Sequence, residues 1–296
     1  MILGSSLYLS HPSDLIVLLK PRVTALVIAT TAGGLWLAPG TPSVFLIFAA
    51  LLGTVLLVGA ANALNMYMER DSDALMARTR NRPLPAKRMS PEIALGVGLL
   101  LAVVAIVLLS LEVNVLTGIL GVIAFVSYVL FYTPLKQKSH AALLIGAVPG
   151  AMPPLMGWTA ATGTLHFPQD FPGLVLFAIL FLWQIPHFLA IALFRKDDYE
   201  KAGIRIMPLE KGEEATKHMI VRYLAGLVAV SLYPVSFGMA GRLYLITAAA
   251  LGVVFFAWGC LGFRKDAGVG WAKSFFLASI VYLPVLLGVL ALDART

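Results

Sequence analysis

Nine apolar stretches recur along the 296 residues, near 23–38, 43–64, 93–111, 115–132, 141–160, 173–194, 219–240, 243–262 and 274–292. Each approaches the ~20 residues that cross a bilayer as a helix, the form in which every backbone N–H and C=O is satisfied inside the segment. The pattern therefore predicts an all-α polytopic membrane protein with nine transmembrane helices. Composition agrees: 59% of residues are hydrophobic and only 12% charged, too apolar for a soluble domain. The start, MILGSSLYLSHPSDLIVLLKPRV, has no basic segment before its first apolar residues and no small-residue cleavage site, so the first span is expected to be retained. Of the 22 Lys and Arg, all but Arg222, Arg242 and Arg295 precede the first span or fall in the loops after spans two, four, six and eight, and Arg222 stands at the end of span seven that adjoins the loop after span six. By the positive-inside rule the N-terminus and those loops are expected to be cytoplasmic and the C-terminus outside. Topology thus accounts for the net charge of +7. No nucleic-acid partner is expected, because the basic residues are not interleaved with aromatic ones along a groove. The single cysteine, Cys260, lies in an apolar run and excludes an intrachain disulfide or a cysteine metal cluster.

The chemistry concentrates at the end of the second span, in NALNMYMERDSDALMARTRNRPLP, residues 62–85. Asn65, Glu69 and Asp73 recur at a spacing of four, so on a helix they stay within about 80° of one face. Asn65 and Asp73 would lie about 12 Å apart along the axis, too far to share one ion, with Glu69 able to reach toward either. Oxygen ligands alone suit a hard cation such as Mg2+, which bridges to substrate phosphates. Arg78, Arg80 and Arg82 follow at once, and Pro83 and Pro85 end the helix and free guanidinium groups to fork onto phosphate oxygens. Together these residues predict a metal-diphosphate clamp. The competing reading is an ordinary cytoplasmic loop whose arginines only obey topology.

Span five, AALLIGAVPGAMPPLMGWTAATG, carries Pro149, Pro153 and Pro154 in mid-membrane and predicts a bent helix lining a cavity, or a kink that serves packing. At the end of span six, His187 and Asp198 share a face but stand about 16 Å apart along the axis and cannot ligate one ion. Asp198 is expected to complete the metal site from across the bundle, with Arg195 beside it. His187 is expected deeper in the cavity, either as a reactive group or as a structural hydrogen-bonder. Asp197 points about 100° away from Asp198. Lys136 and Lys138, after span four, either hold a diphosphate as point charges or mark the inside face.

The first motif, N-x-x-x-E-x-x-x-D followed by RTRNRPLP, resembles that of the intramembrane prenyltransferase superfamily that makes ubiquinone and menaquinone precursors. Within it, that motif with KPRVT, YTPLK, GAMPPLMGW, PHF and DDYEKAGIRIMP is similar to the branch that farnesylates haem, over about residues 20–290. Gln137, Ser139, Ala142 and Leu189 depart from the pattern. The resemblance implies a single transmembrane prenyltransferase domain over 1–296, its nine helices surrounding a central cavity open toward the cytoplasm and to lipid. It implies Asn65, Glu69, Asp73 and Asp198 as holders of Mg2+, with His187 serving catalysis from the haem side, as an axial ligand to the iron or as an acid or base near the vinyl group. Arg78, Arg82, Lys136, Lys138 and Arg195 would hold the diphosphate. The implied reaction is transfer of farnesyl from farnesyl diphosphate to a vinyl group of haem b, in the cytoplasmic membrane of a prokaryote, with a downstream haem-modifying membrane enzyme as partner. Two rivals remain: prenylation of an aromatic acid or quinone precursor, and a membrane transporter. The transporter predicts charges near mid-bilayer, whereas the acids and arginines gather at one edge.

Overall fold

The computed structural model describes residues 12–77 and 79–294, without the side chain of Arg22. Arg78, the first 11 residues and Arg295 therefore lie outside it, and so does the N-terminus to which the topology reading assigned a side. The described residues form a helical bundle: α1 (Pro12–Leu18), α2 (Pro21–Leu37), α3 (Val44–Ala74), α4 (Pro91–Val113), α5 (Val115–Leu135), α6 (Ala142–Thr162), α7 (Phe171–Phe194), α8 (Lys196–Lys201), α9 (Met207–Glu210), α10 (Gly212–Ser236), α11 (Arg242–Phe263) and α12 (Val269–Leu292). Eight of these are long and apolar enough to cross a membrane; the expected ninth is reached only by counting α1 and α2 as one span bent by 52°. The bend has a local cause. Pro21 opens α2, and Lys20 before it adopts the left-handed conformation (φ 49°), which costs a non-glycine residue about 1 kcal/mol or more.

Large apolar side chains such as Phe45, Phe48, Leu100, Val103 and Ile246 are exposed, the signature of helices bathed in lipid. Between helices the contacts are close. α2 packs on α6 and α6 on α7, while α7 also meets α10 and α12. At the α2–α6 crossing the backbones touch: a Cβ on Gly34 would fall 2.0 Å from the Pro154 carbonyl oxygen, and one on Gly157 would fall 2.1 Å from that of Thr31. Small residues permit this approach where apolar surface alone drives no association.

At the rim away from the acidic ridge, Asp170 ties the α6–α7 connection. Its carboxylate accepts from Trp158 Nε1 at 2.8 Å, Thr164 Oγ1 at 2.7 Å and the His166 amide at 2.7 Å. Burial works to raise its pKa, but these donors, with Thr162, outweigh burial and hold it below the usual carboxylate range. A depressed folded pKa means that this stabilisation is present above the unfolded carboxylate value and is lost as pH falls through the folded one. Asp170→Ala is expected to lower stability by about 3 kcal/mol, because it strands the Trp158 donor as well as removing bonds to a charge. Thermal unfolding in detergent checks this, and an unchanged midpoint would refute it.

Candidate active site

Asn65, Glu69 and Asp73 lie on the unbroken helix α3 and are all buried, at 3%, 4% and 1% exposure. Three polar residues spaced by four on a buried face need partners, and each has one. Asn65 Oδ1 accepts from Lys20 Nζ at 3.0 Å, and its Nδ2 donates to Thr133 Oγ1 at 3.2 Å. Glu69 accepts from Lys136 Nζ with both oxygens, at 3.1 and 3.2 Å. Asp73 pairs with Arg82 Nη1 at 2.6 Å. Burial pulls the Lys136 ammonium down, but the Tyr132 phenol and the Glu69 carboxylate outweigh it, so its pKa is raised and it remains cationic.

The segment after α3 folds back so that Arg82 can reach Asp73. Thr79 Oγ1 donates to the Asp73 carbonyl at 2.8 Å, and Arg88 pairs with the buried Asp14 of α1 at 3.1 Å. Leu84 and Met89 pack with Leu18, Ala63, Met66 and Ala94 beneath it. The arginine-rich segment is thus pinned by its own apolar residues.

Below this ring opens a cavity of about 520 Å3 whose wall runs from Lys20, Arg82 and Lys136 at the mouth, past Tyr128 and Tyr132, to Gly150, Met156 and Gln184. The tyrosines reach the wall because residues 127–132 of α5 are wound as π-helix, a widening frequent at functional sites. Thr133 Oγ1 closes that turn on the Tyr128 carbonyl at 2.9 Å while accepting from Asn65, which locks α5 to the ridge. The proline-bearing α6 runs as one helix along the cavity. Tyr199, Ile204, Arg205 and Met207, from the segment containing α8 and α9, line the mouth opposite. Glu210 joins that segment to the α5–α6 connection through His140 Nδ1, and it also pairs with Arg205 at 3.8 Å.

The expected residues are not all brought together. Asp198 pairs with Arg195 at 3.3 Å, both partly exposed, on the turn next to Tyr199. Lys138 is exposed. Among the described residues no three His, Cys, Asp or Glu are gathered as a metal-holding group; each ridge carboxylate sits with a cation instead. His187 fits its structural alternative and departs from the cavity placement. Its Nδ1 lies 2.7 Å from Ser279 Oγ on α12, and its ring stacks on Trp183 at 4.7 Å and meets Phe276. Helical spacing defined the face His187 occupies but not the helix opposite, and α12 rather than the cavity is what that face meets. Lys20 and the tyrosines were missed in turn. A lone cation wedged between an apolar run and a proline, as in LLKPRV, was a readable signal for Lys20. Tyr128 and Tyr132 gave none, because the π-turn that exposes them depends on packing.

A buried oxygen-rich ridge with three cations, at the mouth of an apolar cavity inside a helical membrane bundle, defines a membrane enzyme built for an anionic head on a greasy tail. The model of the UbiA prenyltransferase family matches residues 26–280. The chain belongs to that family. It is 52% identical over 281 residues to the protoheme IX farnesyltransferase of Myxococcus xanthus, covering 95% of this chain and 94% of that one. It is 50% identical to the protoheme IX farnesyltransferase of Sorangium cellulosum, covering 91% and 100%. Among solved structures, a digeranylgeranylglyceryl phosphate synthase superposes with a TM-score of 0.82 at 17% identity, over 95% of this chain and 97% of that one. A UbiA homolog from Archaeoglobus fulgidus bound to GPP and Mg2+ follows at 0.69 and 15%, over 94% and 99%. At these identities the structures speak to fold.

Proposed function

We propose that this protein transfers a farnesyl group from farnesyl diphosphate to a vinyl group of haem b, with residues 1–296 working as one transmembrane domain. The observation that carries the reading is the cation-ringed oxygen ridge above the apolar cavity, and the names of its relatives supply the acceptor. The donor set fits Mg2+: Asn65, Glu69 and Asp73 on the ridge offer oxygen, as does Asp198 on the turn before Tyr199, and hard cations with retained waters take such ligands. When bound, the metal would supply charge neutralisation for the departing diphosphate.

This chain's own residues do the rest. Glu69–Lys136, Asp73–Arg82 and Asp198–Arg195 are each a carboxylate held against a cation. Those carboxylates would hold the metal and those cations the phosphate oxygens, so the free protein keeps its binding groups neutralised in place. Lys20 adds a further cation at the mouth. Arg78 is assigned to the same phosphate group of residues on its place in the sequence, and Lys138 as an outer point charge. The tyrosine faces at the cavity neck stabilise the allylic cation left when the diphosphate departs, and the apolar wall excludes water from it. Leu189, one of the residues that departs from the family pattern, lies on this wall and shapes the acceptor's half. The charged rim faces the cytoplasm, where lysine and arginine concentrate.

Purified protein given haem b, farnesyl diphosphate and Mg2+ should convert the haem to a farnesylated product by mass. Conversion of an aromatic acid or quinone precursor in place of haem would overturn the acceptor assignment. Arg82→Lys keeps the charge but loses the planar fork. It should weaken farnesyl diphosphate binding about tenfold, the worth of one charge-assisted bond. Unaltered binding, measured by calorimetry, would reduce Arg82 to a topological signal.

A further inference from the structure

Deep in the cavity stands a set of oxygen acceptors that ionisation at the mouth does not use. Pro149, Pro153 and Pro154 lie inside α6. Proline has no N–H, so the carbonyls four residues back, on Ile145, Pro149 and Gly150, lose their helical donors. Pro149 and Gly150 line the cavity, and Gly150 is exposed there although it sits in mid-helix. Facing them is Gln184 of α7, only 7% exposed. Its Nε2 donates to the Leu180 carbonyl at 3.0 Å and to the Ala147 carbonyl at 3.3 Å. With both amide hydrogens committed, the side-chain oxygen turns toward Gly150, so closely that a Cβ there would fall 2.0 Å from it. Among the described residues none donates to that oxygen.

We propose that Gln184 Oε1 with the Pro149 and Gly150 carbonyls holds the water that completes the transfer, an inference that rests on the reaction proposed above. Acceptors without donors suit a molecule with two hydrogens to give. A water so held donates both and turns a lone pair into the cavity. The depth is appropriate. Gly150 lies one turn, about 6 Å, below Gly146, which packs against the Tyr132 ring at the cavity neck.

The C1–oxygen bond of farnesyl diphosphate breaks with its electron pair leaving on the diphosphate. The vinyl π pair forms the new carbon–carbon bond from its terminal carbon to C1, and the positive charge moves to the vinyl carbon next to the macrocycle. The held water adds its lone pair there, and the proton it sheds is taken up by the departed diphosphate. The product is an alcohol. Without the water, loss of a proton from the new chain neutralises the cation and leaves an alkene.

The test is product partition. Protein in lipid nanodiscs, given haem b, farnesyl diphosphate and Mg2+, is compared as wild type, Gln184→Met and Gln184→Glu. Methionine fills the same space without an acceptor. It should lower the ratio of alcohol to alkene about tenfold, the worth of a lost hydrogen bond at a charged centre. Glutamate retains acceptors on the same stem and should keep the alcohol. A wild-type ratio in Gln184→Met would overturn the assignment, since a purely structural glutamine affects yield and not partition. Should that variant fail to fold, Gly150→Ala brings a methyl to 2.0 Å from Gln184 Oε1, drives that acceptor out of place and is read in the same way, a wild-type ratio again overturning it. No farnesylated haem from the wild type would overturn the reaction itself, and this site with it.

Discussion

Asp73→Asn lowers kcat by about a thousandfold, ~4 kcal/mol in transition-state terms, while the protein still folds and inserts. Asparagine preserves shape and one oxygen but removes the charge that holds Arg82 at 2.6 Å in the free protein and that, on the proposed assignment, would hold the metal. Glu69→Gln is expected to behave alike, since Glu69 stands to Lys136 as Asp73 does to Arg82. A structural account of these acids makes a different forecast: if Asp73 existed only to neutralise Arg82, exchanging the two as Asp73→Arg with Arg82→Asp would restore the pair and the activity. Exchange should instead leave the enzyme inactive, because the carboxylate no longer lies on the ridge with Asn65 and Glu69. Recovery of turnover in the exchanged protein, or near wild-type kcat in Asp73→Asn at ordinary Mg2+, would end the metal assignment.

The second large effect is on folding. Gly34→Ala should cost about 3 kcal/mol or more and sharply reduce the yield of monodisperse protein, because its methyl would lie 2.0 Å from the Pro154 carbonyl oxygen. That oxygen belongs to the backbone, so no side chain can turn aside, and α2 must move away from α6. The same movement would carry Val23 and Val27 off the cavity wall and Lys20 off Asn65, so whatever protein survives should bind farnesyl diphosphate poorly. Gly33, beside it, has open space where its Cβ would lie and serves as the control. Equal stability of Gly34→Ala and Gly33→Ala would show that the crossing is looser than described.

The bundle was legible in the sequence because a bilayer leaves the backbone one economical solution, and runs of about 20 apolar residues announce it. The ridge was legible for the same reason: Asn65, Glu69 and Asp73 share a face by arithmetic alone once α3 is a helix. Arithmetic of that kind says nothing about what a face meets. The structural hydrogen bond expected of His187 thus found a partner, Ser279, that spacing could not name, and the partners of the ridge, Lys20, Lys136 and Arg82, come from three separate segments that only tertiary packing could match to it. Span boundaries carried the remaining uncertainty. The first expected span, 23–38, is α2 almost residue for residue, but at 17 residues it is short, and α1 can extend it only across the bend at Lys20.

The pairing of Glu69 with Lys136 and of Asp73 with Arg82 also bears on the order of events at the mouth. Taking a carboxylate for a cation ligand releases an ammonium or guanidinium, and taking a cation for phosphate releases a carboxylate. Each half of the incoming load thus removes the obstacle to the other half. By thermodynamic reciprocity, whatever factor the divalent ion adds to the affinity for the prenyl donor, the donor must add to the affinity for the ion. On the proposed assignment the mouth would behave as a coincidence detector, weakly occupied by either component alone and filled when both arrive together.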